Sequence, residues 1–362
     1  MSLSLAAPVA LAPRHGAAAL RRRLVLVLAG LVALGLLAGL VTGSQGFAPL
    51  ATWAEAQAWW RADGSPLADQ AALILGQIRA PRTLGAALVG ALLGLAGALA
   101  QGLFRNPLAD PYLLGSAAGA GLAVVLVLAA ATLAGSAISL ATAAWLERVG
   151  LVAAAFIGAW LGIGLTLLLA RGAEQSLRLL LAGVVLGVLL GAVSDLITTM
   201  APDALRGKQA FMLGSTSFVG WQGCTLMALG LAALLALATA RARVLDALTL
   251  GEDSARSLGL ALGRERLWLV LALAGATGLA VSQVGLVSFV GLVAPHLVRR
   301  HAPGAHAWLL GASALMGAVL LLTADVLSRA LIAPQELPVG VLTAVIGGVY
   351  LFVLLRRRAA LP

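Results

Sequence analysis

The chain has 362 residues, 61% hydrophobic and only 10% charged, with a mean hydropathy of +1.02, which excludes a soluble domain with a large core and indicates a polytopic membrane protein. Its formal charge of +10 does not point to nucleic acid, because the basic residues stand at the ends of apolar runs and form no sustained patch. The single cysteine, Cys224, rules out an internal disulfide. The histidines, His15, His296, His301 and His306, form no HExxH or Cys/His cluster, and the only lysine, Lys208, lies in no phosphate-cradling GxxxxGKS or GxxxxGKT loop, so neither a metal site nor ATP hydrolysis of its own is expected.

Residues 1–23 close on Arg21, Arg22 and Arg23 and read as a cytoplasmic tail before a first span, Leu24 to Val41. A signal peptide is the competing reading, but the apolar run is long and no small-x-small cleavage site precedes Gln45. From Gly46 to Gln77, Trp53, Trp59, Trp60 and Asp63 suit an amphipathic segment at the outer interface. Further spans are expected at Thr83 to Leu103, Leu113 to Leu133, Leu151 to Ala170, Leu177 to Met200, Gly220 to Ala240 and Leu267 to Val284. A shorter segment, Leu286 to Val298, then precedes Trp308 to Leu327 and Val339 to Leu355, and a tail at 359–362 follows Arg356, Arg357 and Arg358. The total is about ten spans, at roughly 20 apolar residues for a full crossing. With both termini inside, only Arg61, Arg79, Arg82, Arg148, Arg206, Lys208 and Arg329 of the 24 basic residues fall outside. The excess lies where the positive-inside rule requires it.

Between the sixth and seventh spans, Val244 to Gly263 is flanked by Arg241, Arg243, Arg264 and Arg266, which puts it on the cytoplasmic side. The spacing predicts two short helices broken at Gly251, with Glu252 and Asp253 in the first turn of the second and Gly259 as its stop. Eight residues of helix cover about 12 Å of a roughly 30 Å hydrocarbon core, so neither piece crosses it. The stretch is either a docking surface for a soluble partner or a solvated connection.

Other signals carry two readings each. Asn106, Pro107, Asp110 and Pro111 in FRNPLADP make a rigid turn at the inner surface. Pro295 interrupts the short eighth span, and His296 reads as a buried helix-end residue in preference to a ligand. Asp195 and Asp325 are the carboxylates nearest membrane depth, a functional signal, although Asp325 lies four residues before Arg329 and an ion pair would explain it. The 43 glycines recur at helical spacing, as in Gly90 and Gly94, Gly158 and Gly162, and Gly183, Gly187 and Gly191. Such spacing lets helices approach closely, or, in the last set, leaves a smooth face for a passing solute.

The order of the motifs is more specific. RAPRT at Arg79 to Thr83 is followed by GALAQGLFRNPLADPYLLGSAAGAG at Gly97 to Gly121 and GEDSARSLG at Gly251 to Gly259. GLVSFVGLVAPHLVRR at Gly285 to Arg300, TADVLSR at Thr323 to Arg329 and ELPVGVLTAVIGG at Glu336 to Gly348 complete the series. From Arg79 onward the chain resembles the FecCD-type permeases, the membrane subunits of binding-protein-dependent ABC importers for iron-siderophores, haem and vitamin B12. The resemblance implies an all-α, type II ABC importer permease bundle over residues 24–358, in the bacterial inner membrane with both termini cytoplasmic. It implies pairing with a second permease subunit, usually an identical chain, with a translocation path between the two. Two cytoplasmic ATPase subunits would carry ATP and Mg, and a periplasmic substrate-binding protein would dock above; this chain would be a transport subunit with no cofactor and no enzyme activity of its own.

Residue by residue, GEDSARSLG matches the coupling-helix motif, so Gly251, Glu252, Asp253, Ala255, Arg256, Leu258 and Gly259 would sit in a cleft of the ATPase. Arg79, Arg82 and Arg329 match outer-face arginines that meet carboxylates of the binding protein. Three arginines left outside suit an acidic partner, and snorkelling to lipid phosphates is the other explanation. Asn106, Pro107, Asp110, Pro111, Gly115, Pro295, His296, Pro338 and Gly340 match structural positions of the motifs. Where the family more usually has glycine-proline before the last aromatic, this chain reads IGGVYLF, which leaves that kink open. An ion-coupled secondary transporter would need buried carboxylates in broken helices, for which only Asp195 and Asp325 stand. An intramembrane enzyme would need paired catalytic groups, and none is visible.

Overall fold

Helix α1 (Arg14–Val41) takes in the arginine triplet as well as the apolar run, so the tail expected at 1–23 is helical from Arg14 onward. The computed structural model describes residues 14–43, 45–61, 66–134, 150–172 and 175–359; residues 1–13, Asp63, Arg148 and the end of the tail at 360–362 lie outside the described residues. A two-residue hairpin, β1 (Thr42–Gly43) against β2 (Gly46–Phe47), turns the chain into α2 (Pro49–Arg61). Trp53, Trp59 and Trp60 are exposed on α2, as suits rings at a membrane interface.

Next, α3 (Pro66–Ala71) continues through a π-helical stretch (Ala72–Arg79) into α4 (Ala80–Phe104). The second span therefore begins well before the expected Thr83, and RAPRT lies inside a helix. Pro81 has no N–H for the carbonyl of Gln77, and the turn before it widens so that the Ala80 N–H reaches the Leu75 carbonyl. Most of α4 is buried, and α9 (Trp221–Ala240), α12 (Leu262–Val284), α13 (Val290–His301) and α14 (His306–Ala330) pack around it.

Glycine makes that packing possible. A Cβ on Gly90 would lie 2.3 Å from the Gly317 carbonyl oxygen, and one on Gly94 2.1 Å from that of Ser313, so α4 and α14 touch backbone to backbone. Gly158 and Gly162 of α6 (Leu151–Leu169) meet the carbonyls of Gly119 and Gly115 in the same way, along α5 (Ser116–Ala134). In α7 (Ser176–Met200) only Gly183 is so used, against the Leu113 carbonyl; Gly187 and Gly191 face open space.

Among the described residues, seven helices are long and apolar enough to cross a membrane, and Ser116–Thr132 and Val339–Leu354 are shorter apolar helices. The eighth expected span differs. Gly285 at φ +72° and Phe289 at φ +69° hold the chain out of helix, and α13 has 12 residues, about 18 Å at the helical rise. Pro295 does not interrupt α13. The carbonyl its missing N–H would have bonded, that of Gly291, instead faces α4, where a Cβ on Gly97 would lie 1.7 Å away. The Leu292 carbonyl accepts from Gln101 Nε2 of α4 at 3.1 Å. After α14, α15 (Val339–Ala359) is helical throughout, including IGGVYLF.

Candidate functional site

Two short helices stand between α9 and α12. α10 (Ala242–Thr249) buries Ala242, Val244, Leu245, Ala247 and Leu248, an apolar stripe at helical spacing. Gly251, at φ +105°, makes the break as the sequence predicts. α11 (Glu252–Ser257) follows with its two acidic residues at its positive end, and Gly259, at φ +79°, terminates it. α12 begins at Leu262 and not Leu267, which draws Arg264 and Arg266 into its first turns.

The acidic pair of α11 diverges. The Asp253 side chain is fully exposed, and Ser254, Arg256, Ser257, Leu258 and Gly259 are exposed with it. Glu252 turns inward beside the buried Ala255. Its Oε1 accepts from Arg266 Nη2 at 2.7 Å and Ser176 Oγ at 3.3 Å, with Arg105 Nη2 at 3.8 Å. Burial pushes the Glu252 carboxyl up, but the hydrogen bonds and charges of Arg266, Ser176 and Arg105 together outweigh it and hold it below the usual range. Of the residues expected in an ATPase cleft, Glu252 and Ala255 thus face the bundle. On α10, Asp246 Oδ1 accepts from the His306 backbone N–H at 3.0 Å and lies 2.7 Å from His306 Nδ1, at the start of α14.

The three expected docking arginines have partners within the chain. Arg79 Nη1 donates to Glu55 Oε2 and to Thr52 Oγ1, both at 3.1 Å. Arg82 Nε donates to Asp325 Oδ1 at 3.3 Å, and its Nη1 meets Glu336 Oε2 at 2.9 Å. Arg329 Nη2 donates to Asp325 Oδ2 at 2.5 Å, and its Nη1 to the carbonyls of Gly39 and Thr42 at 2.9 and 2.6 Å. Arg82 is 8% and Arg329 2% exposed, and both have acidic partners inside this chain. Thr216 Oγ1 donates to Asp325 Oδ1; the sequence pattern does not mark Glu55, Thr216 or Glu336 as partners, and the one signal for them is the charge of the three arginines.

Other motif residues make contacts within the chain. Asn106 Oδ1 accepts from the Leu108 N–H at 2.9 Å, and Asp110 Oδ1 caps the 3-10 turn Pro111–Leu114 through the Tyr112 N–H at 2.8 Å. Gly115 closes that turn at φ +80°. Pro111 packs on Gly291, and Gly340 lies against the carbonyls of Leu213 and Leu286, just after Pro338, whose carbonyl accepts from the Val341 N–H. His296 is not at a helix end; it is half-buried within α13, with its ring edge-on to Tyr350 at 5.9 Å. Asp195 pairs with Lys208 of α8 (Pro202–Leu213), and Asp325 with its two arginines, so neither stands free as a transport carboxylate. Among the described residues no group of three His, Cys, Asp or Glu could hold a metal ion.

The outward side of α7 is an apolar surface of Leu181, Val184, Val185, Val188 and Leu189. A depression of about 370 Å³ at its start is lined by Leu177, Arg178, Leu181 and Val185, among others.

The family model described as the FecCD transport family matches residues 25–357. The hemin transport system permease protein HmuU of Yersinia pestis is 39% identical over 284 residues, 78% of this chain and 83% of that one. The vitamin B12 import system permease protein BtuC of Salmonella typhi is 40% identical over 304 residues, 82% of this chain and 88% of that one. A solved structure, described as an inward-facing conformation of a metal-chelate type ABC transporter, superposes with a TM-score of 0.74 at 26% identity, over 91% of this chain and 99% of that chain.

Proposed function

The chain belongs to the FecCD transport family, and from that premise we infer that it is the membrane-spanning permease subunit of a binding-protein-dependent ABC importer for a metal chelate. The observation that supports this reading most directly is the pair of short helices at the inner end, fixed to the bundle on one side and exposed on the other. In this mechanism a partner ATPase binds and hydrolyses ATP, its closure moves α10 and α11, and the path between two permease subunits changes the side to which it opens. The exposed face of α11, with Asp253, Arg256 and Leu258, meets the ATPase. Arg79, Arg82 and Arg329 serve binding-protein docking indirectly, by fixing the outer ends of α1, α4 and α14 through their internal ion pairs. The membrane is the bacterial inner membrane, with both termini cytoplasmic.

The cargo is haem, a cobalamin or a ferric siderophore, and labelled forms of all three, offered in parallel to a deletion strain and its complemented parent, distinguish them. Uptake of one is expected to return only with the gene. Uphill accumulation by the purified polypeptide alone, with no ATPase present, would overturn the reading.

The open face of α7 is the wall of the path, since a weakly interacting apolar surface lets cargo leave as well as enter. Gly187→Trp should then change thermal stability by no more than about 0.5 kcal/mol, as at an open surface site, while blocking uptake. Unimpaired uptake in a stable Gly187→Trp protein would place the path elsewhere.

A further inference from the structure

Each short inner helix is tied to the bundle by a carboxylate as well as by buried apolar residues. Glu252 joins α11 to three separate elements: Arg266 near the start of α12, Ser176 at the first residue of α7, and Arg105 at the C-cap of α4. Asp246 joins α10 to α14 through both the backbone N–H and the ring of His306. A helix of six residues has too few internal hydrogen bonds to hold itself, so its position is set by what it is bonded to. Apolar contacts between helices can slide, but a charged hydrogen bond to a guanidinium fixes distance and direction. Arg266, itself 2% exposed, is a rigid anchor for Glu252.

We propose that Glu252 and Asp246 are positioning residues that carry movement of the two short helices into the membrane helices, and are not contacts for the ATPase. This rests on the permease reading above. The two faces of α11 divide the work: Asp253, Arg256 and Leu258 look outward to the partner, while Glu252 and Ala255 look inward. The bond to Ser176 adds a link to the cargo path, weaker than the ion pair, because Ser176 opens α7, the helix whose far side carries Gly187, Gly191 and the open apolar surface. A pull on α11 therefore acts at the base of that surface.

The test uses the permease reconstituted in liposomes with its own ATPase and binding protein, and a spin label on an engineered cysteine at Val188, which is 71% exposed. Cys224 is buried and stays unlabelled. In Glu252→Gln the ATPase should co-purify and hydrolyse ATP as with the parent. The ATP-driven change at the label, and cargo moved per ATP hydrolysed when haem and cobalamin are supplied as probes, should fall about tenfold with loss of the charged hydrogen bond. Ser176→Ala, which leaves the ion pair intact, should give a smaller loss in the same two readouts, and Asp246→Asn should also lower them. Asp253→Arg should instead weaken ATPase co-purification and leave the label's response per bound ATPase unchanged. Loss of the ATPase from the Glu252→Gln complex would make Glu252 a direct contact and overturn the proposal, as would a normal label response. A parent protein that captures no ATPase would refute the permease reading instead.

Discussion

Asp325→Asn is expected to destabilise the solubilised permease by about 3–5 kcal/mol, the cost of stripping a buried ion cluster of its central charge. Asp325 is 0% exposed and accepts from Arg329, Arg82 and Thr216 Oγ1, the last at 2.5 Å. Without it Arg329 keeps the carbonyls of Gly39 and Thr42 but has no other carboxylate within bonding distance among the described residues, while Arg82 retains Glu336. The cluster ties α1, α4 and α14 to the segment around Thr216, so its loss should loosen that whole end of the bundle. Thermal unfolding in detergent reads the effect. Glu336→Gln, at a side chain 31% exposed, should cost no more than about 1 kcal/mol because solvent already screens it. Equal losses from the two variants, or none from Asp325→Asn, would show that burial does not set the energetics here.

Gly97→Leu is expected to prevent α4 and α13 from packing. Overfilling a core usually costs about 1–3 kcal/mol because side chains rotate aside. Here the first added carbon falls 1.7 Å from a carbonyl oxygen and 2.8 Å from a Cα of Gly291, and backbone cannot rotate out of the way. The loss should exceed that range and appear as failure to recover folded protein. Gly97→Ala, with the same first carbon and nothing beyond it, keeps the measurement readable as a lowered melting temperature, whereas Gly187→Ala, at an open position, should leave it unmoved. A Gly97→Ala protein as stable as its parent would mean that the two helices can separate at little cost.

Much of the bundle is legible in the residues. Apolar runs bounded by arginine mark the spans, and glycine at 251 and 259 marks both ends of the second short helix, because these depend on short stretches of chain. The eighth span is the exception. Its apolar run suggests a crossing, but Gly285 and Phe289 hold five residues out of helix, a conformation stabilised by contacts such as the Leu286 N–H to the Phe211 carbonyl at 2.9 Å. The identical spacing of Gly183, Gly187 and Gly191 likewise hides the fact that one is packed and two are open.

By itself, then, the sequence determined the membrane class, the family motifs and the break at Gly251. The tertiary structure decided that Glu252 faces inward and Asp253 outward, and that Arg79, Arg82 and Arg329 meet carboxylates within the chain. The reason is physical: a six-residue helix is too short for periodicity to mark its buried side, and Arg82 meets its carboxylates across 243 and 254 positions of sequence. Only helices already packed side by side can bring such charges together.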